Sequence, residues 1–236
     1  MRSTSAARDF TSEEVDDATL HRVLDAARHA PSGGNQQPWT VIIIRDGTIR
    51  EALRDLVRLG WREYAAHLAA GVRPFAPGTD GRWPGPAVDL AVARETDAPW
   101  PFIDELHTVP VLLLVTVHLP ALAVQDVDLD RQSIVGGASV YPFVHNILLA
   151  AGAHGLGGVM TTFICRQEPA VRSLLGIPSD EALAALVVLG HPLERKTRLR
   201  RRPVEAFTRI DSFDGPPFAV RDLSVVGGQN TDGTGS

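Results

Sequence analysis

The stretch "VPVLLLVTV" at 109–117 constrains the fold more than any other part of the chain. An apolar run of that length falls far short of the roughly 20 residues a membrane-spanning helix needs, so it reads as a strand buried in a core. "ALAALVVLGHP" at 182–192 reads as a second core strand. A chain of 236 residues, 44% hydrophobic and 22% charged, has enough apolar material to close a core around both. It fits one domain of moderate size or a domain with an excursion.

The remaining elements are of both kinds. Thr11 and Glu14 have capping-box spacing, and Leu20, Val23, Leu24 and Ala27 then share one face of a helix expected to end near Ala30. "WTVIII" at 39–44 reads as a strand stopped by "RDG", and residues 48–70 as a helix with Ile49, Leu53, Leu56 and Val57 in period. Between 71 and 104 the periodicity fails. That Pro- and Gly-rich stretch is an excursion, either a lid or a peripheral wrap. A helix follows through "ASVYPFVHNILLAAGAHG", apolar nearly all the way round between Ile147 and Ala153 and so expected to be buried on most sides. Pro142 belongs in its first turn or marks a kink. "GLGGVMTTF" is a turn into a strand and "PAVRSLLG" a short helix. After Phe213 the composition turns to Gly, Pro, Asp and Thr, and a loosely ordered tail is expected over 214–236. Strands and helices mixed without strict alternation indicate an α+β sheet with helices packed on it.

Several functional classes are disfavoured. A net charge of -5 argues against a general polyanion binder, and no nucleic-acid partner is expected. No segment is long enough for a membrane, the N-terminus has no basic-then-apolar signal, and Cys165 is the only cysteine, so a cytoplasmic protein is expected. "GLGGVM" ends a helix and opens a strand, the reverse of the strand-turn-helix context of a dinucleotide fingerprint. The eight histidines lack metal-ligand spacing, and no G-x-S-x-G is present, so neither a metal site nor a hydrolytic triad is assigned.

Three segments are more polar or more charged than their position demands, one of them "MRSTSAARDF", where Arg8 lies just before the first helix. In "APSGGNQQPW" at 30–39, Pro31 and Gly33 suffice to stop a helix and make a turn, leaving Ser32, Asn35, Gln36 and Gln37 as surplus hydrogen-bonding groups. The stretch is a solvated loop or a surface that bonds something planar and polar. "ERKTRLRRRPVE" at 194–205 gathers arginines in an otherwise acidic chain, and an arginine fork there would suit a phosphate.

Together with "AARDF", "NILLAAGAHGLGG", "SLLGIP", "VVLGHP" and "RRPVE", in that order, these segments resemble the FMN-dependent nitroreductase family over roughly residues 5–213. The resemblance implies a nitroreductase-like α+β fold, with a central, mainly antiparallel sheet flanked by helices, in an intertwined homodimer. One FMN domain would span 1–213. It implies FMN as cofactor and NADH or NADPH as co-substrate, in ping-pong reduction of a nitroaromatic, quinone or related small acceptor. A flavin oxidase acting on its own substrate and a non-catalytic flavin-binding module are the alternatives. Arg8 and Arg201 match phosphate-contacting positions. Ser32 and Asn35, with Pro31 and Gly33 beside them, match a loop supplied to the partner subunit's flavin. Gly157 and Gly158 match backbone that approaches the flavin ring. The family's further arginine, three residues before Arg8, is Ser5 here. Its place would pass to Arg198 or Arg202, or to Arg2. Trp61, Tyr64, Trp83, Trp100 and Phe102 are candidates to stack over the flavin.

Overall fold

A computed structural model describes residues 5–194 and 199–219. They fall into two compact units that divide between residues 197 and 198. The first unit contains a four-stranded antiparallel sheet, β1 (Trp39–Ile43), β2 (Val111–His118), β3 (Gly157–Thr161) and β4 (Glu181–Gly190), in the order β1-β2-β4-β3. Its helices are α1 (Asp17–Ala27), α2 (Gly47–Ala69), α3 (Leu90–Arg94), α4 (Pro101–Asp104), α5 (Tyr141–Ala153) and α6 (Glu168–Leu175).

The unbroken apolar run of β2 is explained by helices on both faces of the sheet. Side chains alternate along a strand. Val111, Leu113, Val115 and Val117 of β2 pack with Val187 and Leu189 of β4 against α1 and α5. Leu112 and Leu114 pack with Leu186 and Val188 against α2, α4 and α6. Two cores therefore share one sheet, and neither central strand has a polar face to show.

Several boundaries differ from the sequence expectation. Asp16, not Thr11, caps α1, accepting from Thr19 N at 2.7 Å. Thr11 instead gives its N–H to His191 O at 2.9 Å, which commits residues 6–11 to lie along the sheet. Pro142 sits in the first turn of α5 and makes no kink. Only one side of α5 is covered: Phe143, Val144, Ile147 and Ala151 are buried, while Tyr141, His145, Gly152 and Ala153 are exposed. The excursion at 71–104 contains α3 and α4 and runs back along α2, fastened by Trp61 Nε1 to Ala98 O (2.7 Å), Arg62 to Arg94 O (2.7 Å) and Ala87 N to His67 Nε2 (3.2 Å). It is a wrap, held by contacts that no local periodicity encodes.

In the second unit, Pro203 leads into a short 3-10 turn at Val204–Ala206, and Ile210 N donates to Pro216 O at 2.9 Å. Of the expected tail, residues 220–236 lie outside the described residues. No described helix is long and apolar enough to cross a membrane.

Candidate functional site

A cavity of about 450 Å³ opens where the N-terminal segment passes the end of β3. Arg8 lies on one side, Val159 to Phe163 form the floor, and Trp61, Tyr64, Trp100 and Phe102 complete the walls. The Arg8 guanidinium sits 5.6 Å from the ring centre of Trp100 and 5.8 Å from that of Phe102. It makes no hydrogen bond or ion pair among the described residues. An arginine packed on aromatic faces with its donors free is preorganised for an anion. Tyr64, Thr161 and Thr162 line the same cavity, and among the described residues no Asp, Glu or His does.

The walls are rigid. A side chain at Gly60 would place Cβ 2.5 Å from Phe163 O, so this glycine lets α2 rest directly on the turn at Phe163–Gln167. Trp61 and Tyr64 each meet Phe163 edge-on, at 5.8 and 5.6 Å, and Trp61 stacks on Tyr64 at 5.5 Å. Of the five aromatic candidates, Trp61, Tyr64, Trp100 and Phe102 line the cavity. Trp83 stands behind it, on the far side of Phe75. Thr161 and Thr162 escaped the sequence reading. Their signal was two hydroxyls in "MTTF", at the end of a strand where no turn chemistry calls for them.

Arg8 and the two glycines are brought together. Ala7 N donates to Gly158 O at 3.0 Å, and a Cβ on Gly157 would lie 2.8 Å from Ala7 Cβ. On Gly158 it would lie 2.5 Å from both Val188 O and Leu189 Cδ2. The chain itself thus fills the space that these glycines leave. Neither has positive φ; Gly155, at φ 81°, makes the turn out of α5.

Pro31, Ser32, Gly33 and Asn35 are elsewhere. Their loop enters β1 at Trp39, which pairs with Val117 and through it with Ala182, whereas Gly157 pairs with Gly190. Eight residues of β4, about 27 Å, and three strand spacings, about 14 Å, separate the two places. They are diagonally opposite corners of the sheet. The loop is tightly specified even so. Ser32 Oγ accepts from Gln37 N at 2.9 Å, Gly33 N donates to Ser139 Oγ at 3.0 Å, and Gly34, Asn35 and Gln37 all have positive φ. Pro31 and Asn35 are exposed. For Asn and Gln such backbone is uncommon and clusters at functional sites.

Arg201 lies in the second unit, where it donates to Arg200 O at 2.9 Å and is exposed, as is Arg202. Arg2 and Arg198 lie outside the described residues.

A two-faced antiparallel sheet flanked by helices, with an aromatic cavity beside Arg8 at one corner, defines an α+β fold with a candidate ligand site. The sequence model of the Nitroreductase family matches residues 1–191, and the chain belongs to that family. It is 30% identical over 214 residues to an NADH dehydrogenase of Thermus thermophilus, covering 84% of this chain and 87% of that one. It is 28% identical over 229 residues to a 4-nitrobenzoate reductase of a Nocardioides species, covering 87% and 85%. Among solved structures, an oxidized iodotyrosine deiodinase bound to FMN and 3-iodo-L-tyrosine superposes with a TM-score of 0.61 at 25% identity, covering 89% of this chain and 96% of that one.

Proposed function

We propose that the protein is an FMN-dependent oxidoreductase that takes reducing equivalents from NADH or NADPH and delivers them, in ping-pong order, to a nitroaromatic, quinone or related small acceptor. The observation that carries this reading is the Arg8 guanidinium, with no hydrogen-bond or ion-pair partner among the described residues, at the edge of an aromatic cavity whose described lining holds no carboxylate. FMN, when bound, supplies hydride transfer between a nicotinamide and an acceptor. Arg8 would hold its phosphate, while a phosphate role for Arg201 and for Arg198 or Arg202 rests on the family resemblance alone. The cavity's hydroxyls and the Gly157–Gly158 backbone would meet the polar edges of the ring system. The aromatic walls exclude water and keep one planar guest at a time. No side chain need act as a general acid, because solvent or the flavin can supply protons.

The reading also requires two copies of the chain. Ser139, which holds Gly33, lies just before α5, and Gly157 lies just after it. The 13 residues of α5 span about 20 Å. A two-fold axis across α5 would set each chain's loop beside its partner's glycine corner, so that Pro31, Ser32, Gly33 and Asn35 complete the partner's site. The uncovered side of α5, and the exposed Val127 (68%) and Ile134 (71%) in the segment leading to it, supply apolar surface for that contact.

Anaerobic mixing with each nicotinamide tests the proposal. The purified protein should be yellow, lose its flavin absorbance within seconds of mixing with NADH or NADPH, and regain it on addition of a nitroaromatic or quinone. A colourless protein that takes up no FMN overturns it. Bound FMN that neither nicotinamide reduces overturns the reductase reading in favour of an oxidase. A flavin-loaded monomer in sedimentation overturns the shared site.

A further inference from the structure

Behind the cavity wall lies a cluster that the proposed chemistry does not use. Glu63 is 5% exposed, and Arg166 grips it with both arms of its fork, at 2.9 and 3.0 Å. The other side of the same guanidinium lies 4.7 Å from the ring centre of Trp83 and 5.8 Å from that of Phe75. Glu63 precedes Tyr64 on α2, and Arg166 is three residues beyond Phe163. The pair therefore stitches together the two elements that carry the cavity's Tyr64 and Phe163. Across them, Phe75 packs on Tyr64 at 6.3 Å, on His67 at 5.7 Å and on Trp83 at 5.7 Å. A second observation points the same way: Phe75 has φ 50°, a left-handed backbone that a bulky residue keeps only where its surroundings force it.

We infer that Arg166 is a positioning residue for the acceptor, and that the Glu63–Arg166 pair sets the spacing of the cavity walls by holding Phe75 and Trp83 of the excursion against Tyr64. The inference rests on the proposed reductase reading. Glu63 is neutralised by a bidentate partner, and Arg166 spends its outward face on two aromatic rings. Neither group reaches the cavity, so neither binds the acceptor or the cofactor. Their effect is on fit. Walls set by a rigid stack admit a flat aromatic acceptor and hold it in place, and displacement of such a support by about 1 Å costs up to a hundredfold in rate.

The test compares Arg166→Met, Arg166→Lys and Trp83→Leu with the double variant Glu63→Gln/Arg166→Met, which leaves no buried charge unpaired. KM for a flat aromatic acceptor such as a naphthoquinone should rise about tenfold in Arg166→Met, Trp83→Leu and the double variant, and less in Arg166→Lys. FMN content and the rate with ferricyanide, which needs no seat between the walls, should stay unchanged. Equal losses with quinone and ferricyanide, or an unchanged KM for quinone, overturn the inference. Hydrogen exchange on the flavin-free protein separates this from failure of the reductase reading. Residues 74–88 should lose protection in Arg166→Met while 47–60 keep theirs. Unchanged protection in 74–88 overturns the role of the pair whatever the activity.

Discussion

The two corners of the sheet that carry the site's matched residues are built on opposite plans. At the glycine corner the chain packs on itself. Ala7, Leu189 and Val188 occupy the space that side chains on Gly157 and Gly158 would need, and the cavity beside them is aromatic and carries Arg8, which has no ion-pair partner among the described residues. At the loop corner residues 34–37 are exposed, on a backbone with three of those four residues, Gly34, Asn35 and Gln37, at positive φ. The proposed division of a ligand site between two chains would account for a hollow at one place and an exposed, hydrogen-bonding loop at another.

The contrast is broken most severely by adding side chains at both corners. Gly158→Val drives carbon into a backbone carbonyl and Leu189, and should destabilise the protein by about 3 kcal/mol or more, read as a lowered midpoint in urea. Gly34→Ala meets only the end of Gln36 and pays mainly for its φ of 58°, about 1–2 kcal/mol. Equal losses at the two positions would show that the loop corner is as tightly packed as the other.

Ligand binding sharpens the contrast at a smaller scale. Arg8→Ala should weaken FMN by about 1.5–3 kcal/mol, the worth of a charge-assisted bond, with the flavin-free midpoint almost unmoved. Asn35→Ala should cost about 1 kcal/mol of FMN affinity. Their combination is the decisive form. When the two variants are unfolded, mixed and refolded, a heterodimer with a divided site has one site carrying both defects and one carrying neither. Tight FMN binding should therefore return at about one quarter of all sites, since half the dimers are mixed. If none returns, Arg8 and Asn35 serve the same chain's site.

The difference between the corners also decided what the sequence could reveal. The strand expected at 39–44 and the helix at 48–70 are observed at 39–43 and 47–69, because period and stop signals are local. The helices α3 and α4 were hidden. Their segment is held by Trp61, Arg62 and His67 of α2, a contact between residues 20 to 37 positions apart. The Thr11 capping box misled because the N–H and side chain of one threonine say nothing of the strand end that residues 6–11 must pass. In the site, the loop stood out by its excess of polar groups and Arg8 as a charge just before the first helix, with its phosphate role coming from the resemblance alone. Glu63 and Arg166 were illegible, since 103 residues separate them and each alone reads as a solvated charge.

The smallest effects come from pH, and they should fall on opposite sides of neutrality at the two corners. The segment 119–139 backs the loop, placing Ala123 and Ser139 against Gly33, and is knotted by Asp126. The N–H of Ile134, then the Ser133 hydroxyl and Arg131, hold that carboxyl well below the usual carboxylate range. A depressed carboxylate stabilises the fold above its unfolded pKa, near 4, and the contribution drains away as pH falls below it. Cys165, in the turn beneath the cavity, is shifted the other way: burial pushes its thiol up to about 11. The native state keeps the proton that the unfolded chain releases from about pH 9, so that contribution is complete below pH 9 and lost as pH climbs toward 11. Protection of the amides across 122–136, measured against their intrinsic exchange rate at each pH, should thus fall on acidification to pH 3 while that of residues 159–167 holds. At pH 10 the order should reverse. Alkylation of Cys165 at pH 8 should run about a hundredfold slower than that of a free thiol, because so little thiolate is present. A thiol that reacts at the free rate would mean that the turn under the cavity opens readily, and that the rigid corner is not the one the packing indicates.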